Sequence, residues 1–219
     1  MKREKVCNAM SELIDFYLEK KKCRACRLRD GCSQVVTGTG CMTRPILLII
    51  AESPGSTEDE EGEVLIGPAG QTLRSVLRAT GILNRKNTLM TNVLSCHPPG
   101  NNFPKDECPD ICVSKWIWDE IRIAQPKRIL LLGAVPLKYV AGLEGITACR
   151  GQWREVRGVR TMPTFHPSFI LRKDKEGIMS FRDMWTKDIN EVAAEVAMEM
   201  KKEEGKSSGM TQERTIEAT

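Results

Sequence analysis

Apolar side chains recur along this chain with two different spacings, and the alternation between them lays out the fold. Ile46-Leu47-Leu48-Ile49-Ile50-Ala51 is apolar without a break, as expected of a strand covered on both faces of a parallel sheet. Arg128-Ile129-Leu130-Leu131-Leu132-Gly133 repeats that signature. Thr88-Leu89-Met90-Thr91 is a shorter version leading into Asn92, and a fourth strand is expected to end near Pro163-Thr164. Between these runs the spacing changes to helical. Val6, Met10, Leu13, Ile14, Tyr17 and Leu18 share one face of a helix expected over 4–20. Leu73, Val76 and Leu77 predict a helix over 71–80, closed by Gly81. Trp116, Ile117 and Ile121 belong to a helix that Asp110 can cap and that must stop before Pro126. Pro136 suits the first turn of the next helix, and Phe181, Met184, Trp185, Ile189, Val192 and Val196 mark a long final one.

Strands alternating with helices predict an α/β domain with a parallel sheet covered on both faces. The domain is expected to occupy 1–199. Beyond Met200 the chain turns polar, with Gly, Ser and mixed charge, so 200–219 is expected to be a disordered tail. Ligands of such sheets sit beyond the carboxyl ends of the strands. The loops leaving those ends, 52–70, 92–110 and 165–171, are therefore where chemistry is sought.

Bulk properties narrow the class only a little. No apolar run reaches the ~20 residues that span a bilayer, so no membrane role is expected. Met1-Lys2-Arg3-Glu4-Lys5 has no apolar signal core, which points to an intracellular protein. A net charge of +4 permits a nucleic-acid partner without demanding one. Local basic groups, Lys20-Lys21-Lys22 and Arg172-Lys173, most often mean solvated surface.

Nine cysteines change the picture more. Cys23-Arg24-Ala25-Cys26 is a short-spaced hook, whereas Cys96 and Cys112 bracket a Pro/Gly/Asn-rich loop far downstream. Four thiolates can hold zinc or an iron–sulfur cluster. Structural zinc favours two short-spaced pairs, so the split second pair leans towards a cluster, with zinc and unligated thiols as alternatives. Cys32 and Cys108 are rival ligands; Cys7, Cys41 and Cys149 lie outside the set.

Each loop carries candidate chemistry. Glu52-Ser53-Pro54-Gly55 runs on to Gly67-Pro68-Ala69-Gly70 ahead of a helix, where backbone N–H groups can meet a phosphate or simply form a structural turn. The acidic stretch Glu58-Asp59-Glu60-Glu61 reads as a solvated loop tip. Asn92 follows a strand, and its amide can match the hydrogen-bonding edge of a nucleobase or satisfy a turn. His166, before Pro167, can donate to charge developing on a leaving group or serve as a structural histidine. His97 has no assigned role. No G-x-S-x-G, P-loop or H-E-x-x-H pattern occurs.

Taken together, these segments resemble the uracil-DNA glycosylase superfamily, and within it the iron–sulfur-containing family 4 enzymes. The carriers are Cys23-Arg24-Ala25-Cys26, the run Gln34-Val35-Val36-Thr37-Gly38-Thr39-Gly40, Ala51-Glu52-Ser53-Pro54-Gly55 and Gly67-Pro68-Ala69-Gly70. They continue with Thr91-Asn92-Val93, Cys96-His97-Pro98-Pro99-Gly100-Asn101, Arg150-Gly151 and His166-Pro167-Ser168. The resemblance implies a three-layer α/β/α domain around a central four-stranded parallel sheet, with an N-terminal helix. It implies a structural 4Fe–4S cluster on Cys23, Cys26, Cys96 and Cys112. It further implies a monomeric prokaryotic enzyme of the cytoplasm or nucleoid, which flips a deaminated base out of DNA and hydrolyses its N-glycosidic bond to start base excision repair. Glu52, Ser53 and His166 would be catalytic. Ser53, Leu65, Asn92 and His166 would bind the base, and Gly67, Ala69, Pro167, Ser168 and Arg172 the DNA.

Two departures stand out. Val64-Leu65-Ile66-Gly67 has Leu65 where the family pattern carries a base-stacking aromatic, and Ser53 replaces the usual Gly or Ala. These leave open a reshaped pocket for another deaminated base, or a weakly active or non-catalytic iron–sulfur DNA-binding protein. A zinc-stapled α/β hydrolase is a third reading.

Overall fold

The computed structural model describes the backbone of residues 2–81, 84 and 86–216 and the surroundings of side chains within 10–203. The chain runs through α1 (Lys2–Lys21), a 3-10 turn (Arg27–Gly31), β1 (Thr39–Gly40), β2 (Leu47–Ala51), α2 (Ser56–Glu61), α3 (Pro68–Ala79) and β3 (Thr88–Asn92). It continues with α4 (Cys108–Cys112), a π-helical turn (Val113–Ile117), α5 (Trp118–Ala124), β4 (Arg128–Leu132), α6 (Ala134–Ala141) and α7 (Ile146–Cys149). β5 (Arg154–Val156), β6 (Val159–Thr164), α8 (Pro167–Lys175) and α9 (Ser180–Ile216) complete it.

The sheet has six strands in the order β1-β3-β2-β4-β6-β5, rather than the four expected. β3, β2, β4 and β6 pair in parallel, and β1 and β5 add antiparallel edges. The edge strands escape sequence reading because they span two and three residues and none of these is fully buried. Gly40 lets β1 close on β3: at φ +125°, an added Cβ would stand 2.2 Å from the Thr88 carbonyl oxygen.

Alternation of side chains along the central strands builds one core on each face. Leu47, Ile49, Leu130, Leu132 and Met162 pack with Leu73 and Leu77 of α3, Ile170 of α8, and Trp185 and Ile189 of α9. Leu48, Ile50, Leu89, Ile129 and Leu131 pack with Leu13 and Tyr17 of α1, Ile121 of α5 and Val140 of α6. Each such Leu or Ile contributes about 1.5–3 kcal/mol relative to exposure. Arg128 of β4 fastens α9 through Glu195 and Glu199, at 3.0 and 2.8 Å.

Several sequence expectations change. On α1 the inward face carries Leu13, Tyr17 and Lys20, while Met10, Ile14 and Leu18 are exposed; Val6 and Cys7 lie outside the described side chains. Hydrophobic periodicity sets the helix but misjudges its phase, because a charged residue occupies the core side. Lys20 is fully buried against Glu120 at 2.8 Å, and Glu120 also accepts from Tyr17 and Thr91. The helix expected to start at Asp110 begins at Cys108. Met184, expected to face inward on the last helix, is 39% exposed. α9 runs to Ile216, through most of the stretch that composition assigns to a disordered tail; residues 217–219 lie outside the described residues.

Candidate active site and cysteine centre

The carboxyl ends of β2, β3 and β6 open on one cavity of about 410 Å³. β2 hands over Glu52 and Ser53, β3 ends on Asn92, and β6 leads into His166 at the N-cap of α8. Leu65, Gly67, Ala69, Ser168 and Arg172 complete the expected set on its wall. Pro167 is the exception: as the buried first residue of α8, it shapes the turn and does not line the cavity.

Asn92 is 3% exposed, and among the described residues neither its Oδ1 nor its Nδ2 has a hydrogen-bond partner. A buried amide left unpaired costs about 1–3 kcal/mol. Its position at the cavity wall gives that cost a purpose, since a ligand with a complementary donor and acceptor would satisfy it.

His166 has a defined tautomer. Its Nδ1 accepts the Ser168 backbone N–H at 3.2 Å and lies 2.8 Å from Ser168 Oγ. A nitrogen that accepts carries no proton, so the neutral ring holds its proton on Nε2. Burial, and then the Arg172 charge, pull its pKa down to about 4. Gly133 makes room for the ring: an added Cβ there would stand 3.0 Å from His166 Cβ, at φ +98°. Glu52 moves the other way. Burial raises its pKa, and Arg172 offsets part of that rise.

The first loop is held from inside. Glu58, expected on a solvated tip, is buried and accepts the N–H groups of Gly55, Ile66 and Gly67 at 3.1, 3.0 and 2.8 Å. Asp59 is buried too and accepts from Ser33 at 2.8 Å. These carboxylates replace water as partners for a folded-back loop, a use that a run of acidic letters does not reveal. The Gly67 amide is thereby committed to Glu58 rather than to a phosphate. Leu65 sits at φ +56°, a left-handed conformation uncommon for leucine. Arg74 braces it from below through the Leu65 and Val64 carbonyls, at 2.9 and 3.1 Å. Asn101 also lines the cavity, which sequence reasoning misses; consecutive left-handed Gly100 and Asn101 turn its loop inward. The Pro-Pro-Gly-Asn run is the available signal.

At the far end of the middle loop the thiols gather. Cys32, Cys96, Cys108 and Cys112 are buried in an apolar cluster with Leu28, Val35, Leu94 and Trp116, and Cys23 and Cys26 pack against it. Trp116 Nε1–H points to Cys23 Sγ at 3.3 Å. Burial, and then Cys32, Cys112 and Cys26, push the Cys96 thiol up; burial does the same to Cys112. Thiols so placed become thiolates only when a cation holds them, which fits a soft metal centre. Among the described residues, no group of three His, Cys, Asp or Glu side chains is arranged to hold a single metal ion.

Comparison with known proteins gives concordant matches. The family model of the Uracil DNA glycosylase superfamily matches residues 37–192. A Type-4 uracil-DNA glycosylase of Thermotoga maritima is 37% identical over 167 residues, covering 74% of this chain and 84% of that protein. Proteins of the same name from Pyrobaculum aerophilum and Sulfurisphaera tokodaii are 33% and 31% identical, covering 70% and 74% of this chain and 81% and 77% of their own lengths.

Proposed function

Because this chain belongs to the uracil DNA glycosylase superfamily, we propose that it removes uracil from DNA by hydrolysing the N-glycosidic bond, as a Type-4 enzyme initiating base excision repair. The observation that carries this reading is the buried, unpartnered Asn92 amide in one cavity with His166. Uracil offers a ring N–H and a carbonyl oxygen on adjacent atoms, which would pair with Asn92 Oδ1 and Nδ2. Cytosine reverses that pattern and leaves both atoms opposed, the kind of mismatch that buried polar sites reject strongly.

The reaction moves charge from sugar to base. As the bond to C1′ breaks, positive charge grows on the sugar and negative charge on the departing base. His166 would donate Nε2–H to the base oxygen that takes up this charge, a contact worth about 100- to 1,000-fold in rate. Water would add to C1′, with Glu52 accepting its proton and Ser53 helping to hold it. Arg172, Ser168 and the first turn of α3 at Ala69 would meet DNA phosphates. Cys23, Cys26, Cys96 and Cys112 would hold a 4Fe–4S cluster, which supplies a structural cross-link between the N-terminal arm and the middle loop. The same reading takes residues 1–199 as one domain, acting as a monomer in a prokaryotic cell. A non-catalytic DNA-binding role would leave the cost of the unpaired amide without a return.

A panel of oligonucleotides containing uracil, hypoxanthine or xanthine, followed by alkaline cleavage of abasic sites, tests the proposal. Uracil excision is the expected result; binding without cleavage of any substrate would overturn it. Leu65→Phe is expected to raise uracil excision by up to ~10-fold, since base–aromatic stacking is worth about 1–3 kcal/mol and only part is expressed in the transition state. An unchanged rate would remove Leu65 from the stacking position.

The pH profile should report Glu52 rather than His166. With its pKa near 4, His166 stays neutral through the range where an ordinary histidine titrates, so no inflection is expected near 6.5. Glu52 must be ionised to accept a proton and its pKa is raised, so excision should fall with acid from above the ordinary carboxylate range. Glu52→Gln should slow the reaction and abolish that acid limb. Persistence of the limb in the variant would assign it elsewhere.

A further inference from the structure

His97 follows the buried Cys96, and its Nδ1 lies 2.9 Å from the Pro54 carbonyl oxygen, 43 residues away in sequence. A carbonyl oxygen only accepts, so Nδ1 must carry the proton, whether the ring is neutral or charged. Pro54 is buried, lines the cavity and directly follows Glu52 and Ser53.

Two further links run parallel to this one. Val93 N–H donates to Ala51 at 2.9 Å, and Leu94 N–H donates to Glu52 at 3.0 Å. They extend the β2–β3 ladder one residue past β2 and two past β3, but they end at Glu52. Beyond it, the His97 side chain is the next tie between the segments. On the other side of Pro54, Gly55 is fixed by Glu58. The Glu52-Ser53-Pro54 turn is thus pinned on one flank by the first loop and on the other by a side chain of the cysteine-bearing loop.

We propose that His97 is a positioning residue for base excision: its bond to Pro54 holds the turn carrying Glu52 and Ser53, and so couples the cysteine-anchored loop to the placement of the attacking water. The inference rests on the glycosylase reading above. Its chemistry needs a donor on the Cys96 side and is indifferent to ring charge. Asn92 and His166 do not depend on it, so base recognition should survive its loss while the chemical step suffers.

The experiment uses the full chain with its metal centre loaded. His97→Ala is expected to lower the single-turnover rate of uracil excision by roughly 10- to 100-fold, the scale of a small misplacement of a reacting group. Affinity for uracil-containing DNA and iron content should stay at parental values, and the melting temperature should fall by no more than a few degrees. His97→Asn places an amide N–H at a reach similar to Nδ1 and should restore most of the rate. A parental rate in His97→Ala would overturn the inference, as would a loss that follows iron content or DNA affinity. Failure of His97→Asn to recover would overturn it as well. An unaltered protein that cleaves no uracil substrate would instead overturn the functional reading, and this inference with it.

Discussion

Changing Asn92 to alanine should slow uracil excision at least ~100-fold while leaving the protein as stable or more stable, the rate effect being that of losing a well-placed stabilising group. The two effects share one cause. The amide is buried, and among the described residues neither of its polar atoms has a hydrogen-bond partner. Truncating it removes a desolvation penalty of about 1–3 kcal/mol. In a domain of this size, each kcal/mol is about 2–4 °C in melting temperature, offset in part by the small void left behind. Opposite signs for activity and stability mark a residue kept for function. Single-turnover kinetics and thermal unfolding on the same preparation check both. A parental rate, or a melting temperature several degrees lower, would remove Asn92 from its role in base reading.

The second large effect concerns the cysteine centre. Cys112→Ala is expected to yield colourless protein that retains little iron and melts well below the parent. Such a centre would tie Cys23 and Cys26, just beyond α1, to Cys96 and Cys112. Closing a loop of that length is worth about 4 kcal/mol on a chain-entropy scale. Cys32→Ala and Cys108→Ala should keep both iron and colour, although both thiols share the same apolar cluster. Iron analysis and visible absorbance decide the matter. Colour lost in Cys32→Ala or Cys108→Ala, and kept in Cys112→Ala, would reassign the ligands. Loss of the centre should also slow excision, because the middle loop carries Asn101 to the cavity wall and His97 to the Pro54 carbonyl.

Much of this architecture is legible in the order of residues. The uninterrupted runs at 46–51 and 128–133 form central strands because β2 has a neighbour on each side and helices on each face. Asn92, His166 and Glu52 are recognisable because each stands at or just beyond the end of an expected strand, where a parallel sheet presents its ligands. The residues that spacing misreads share a common feature. Glu58 and Asp59 look like surface charge until the chain folds back and offers them backbone N–H groups. Lys20 looks solvated until Glu120, one hundred residues on, meets it inside the core.

The alternation of the four central strands with helices, and the kinds of residue that stand at the strand ends, are local properties, written in spacing and residue type. Sequence alone determined them, because periodicity and donor chemistry need no knowledge of neighbours. The tertiary structure decided which groups are buried, which polar atoms find partners and which loops touch. Those outcomes depend on contacts between residues far apart in the chain. Desolvation acts only once such contacts form, and it is desolvation that leaves Asn92 unpaired, keeps His166 neutral and raises the pKa of Glu52.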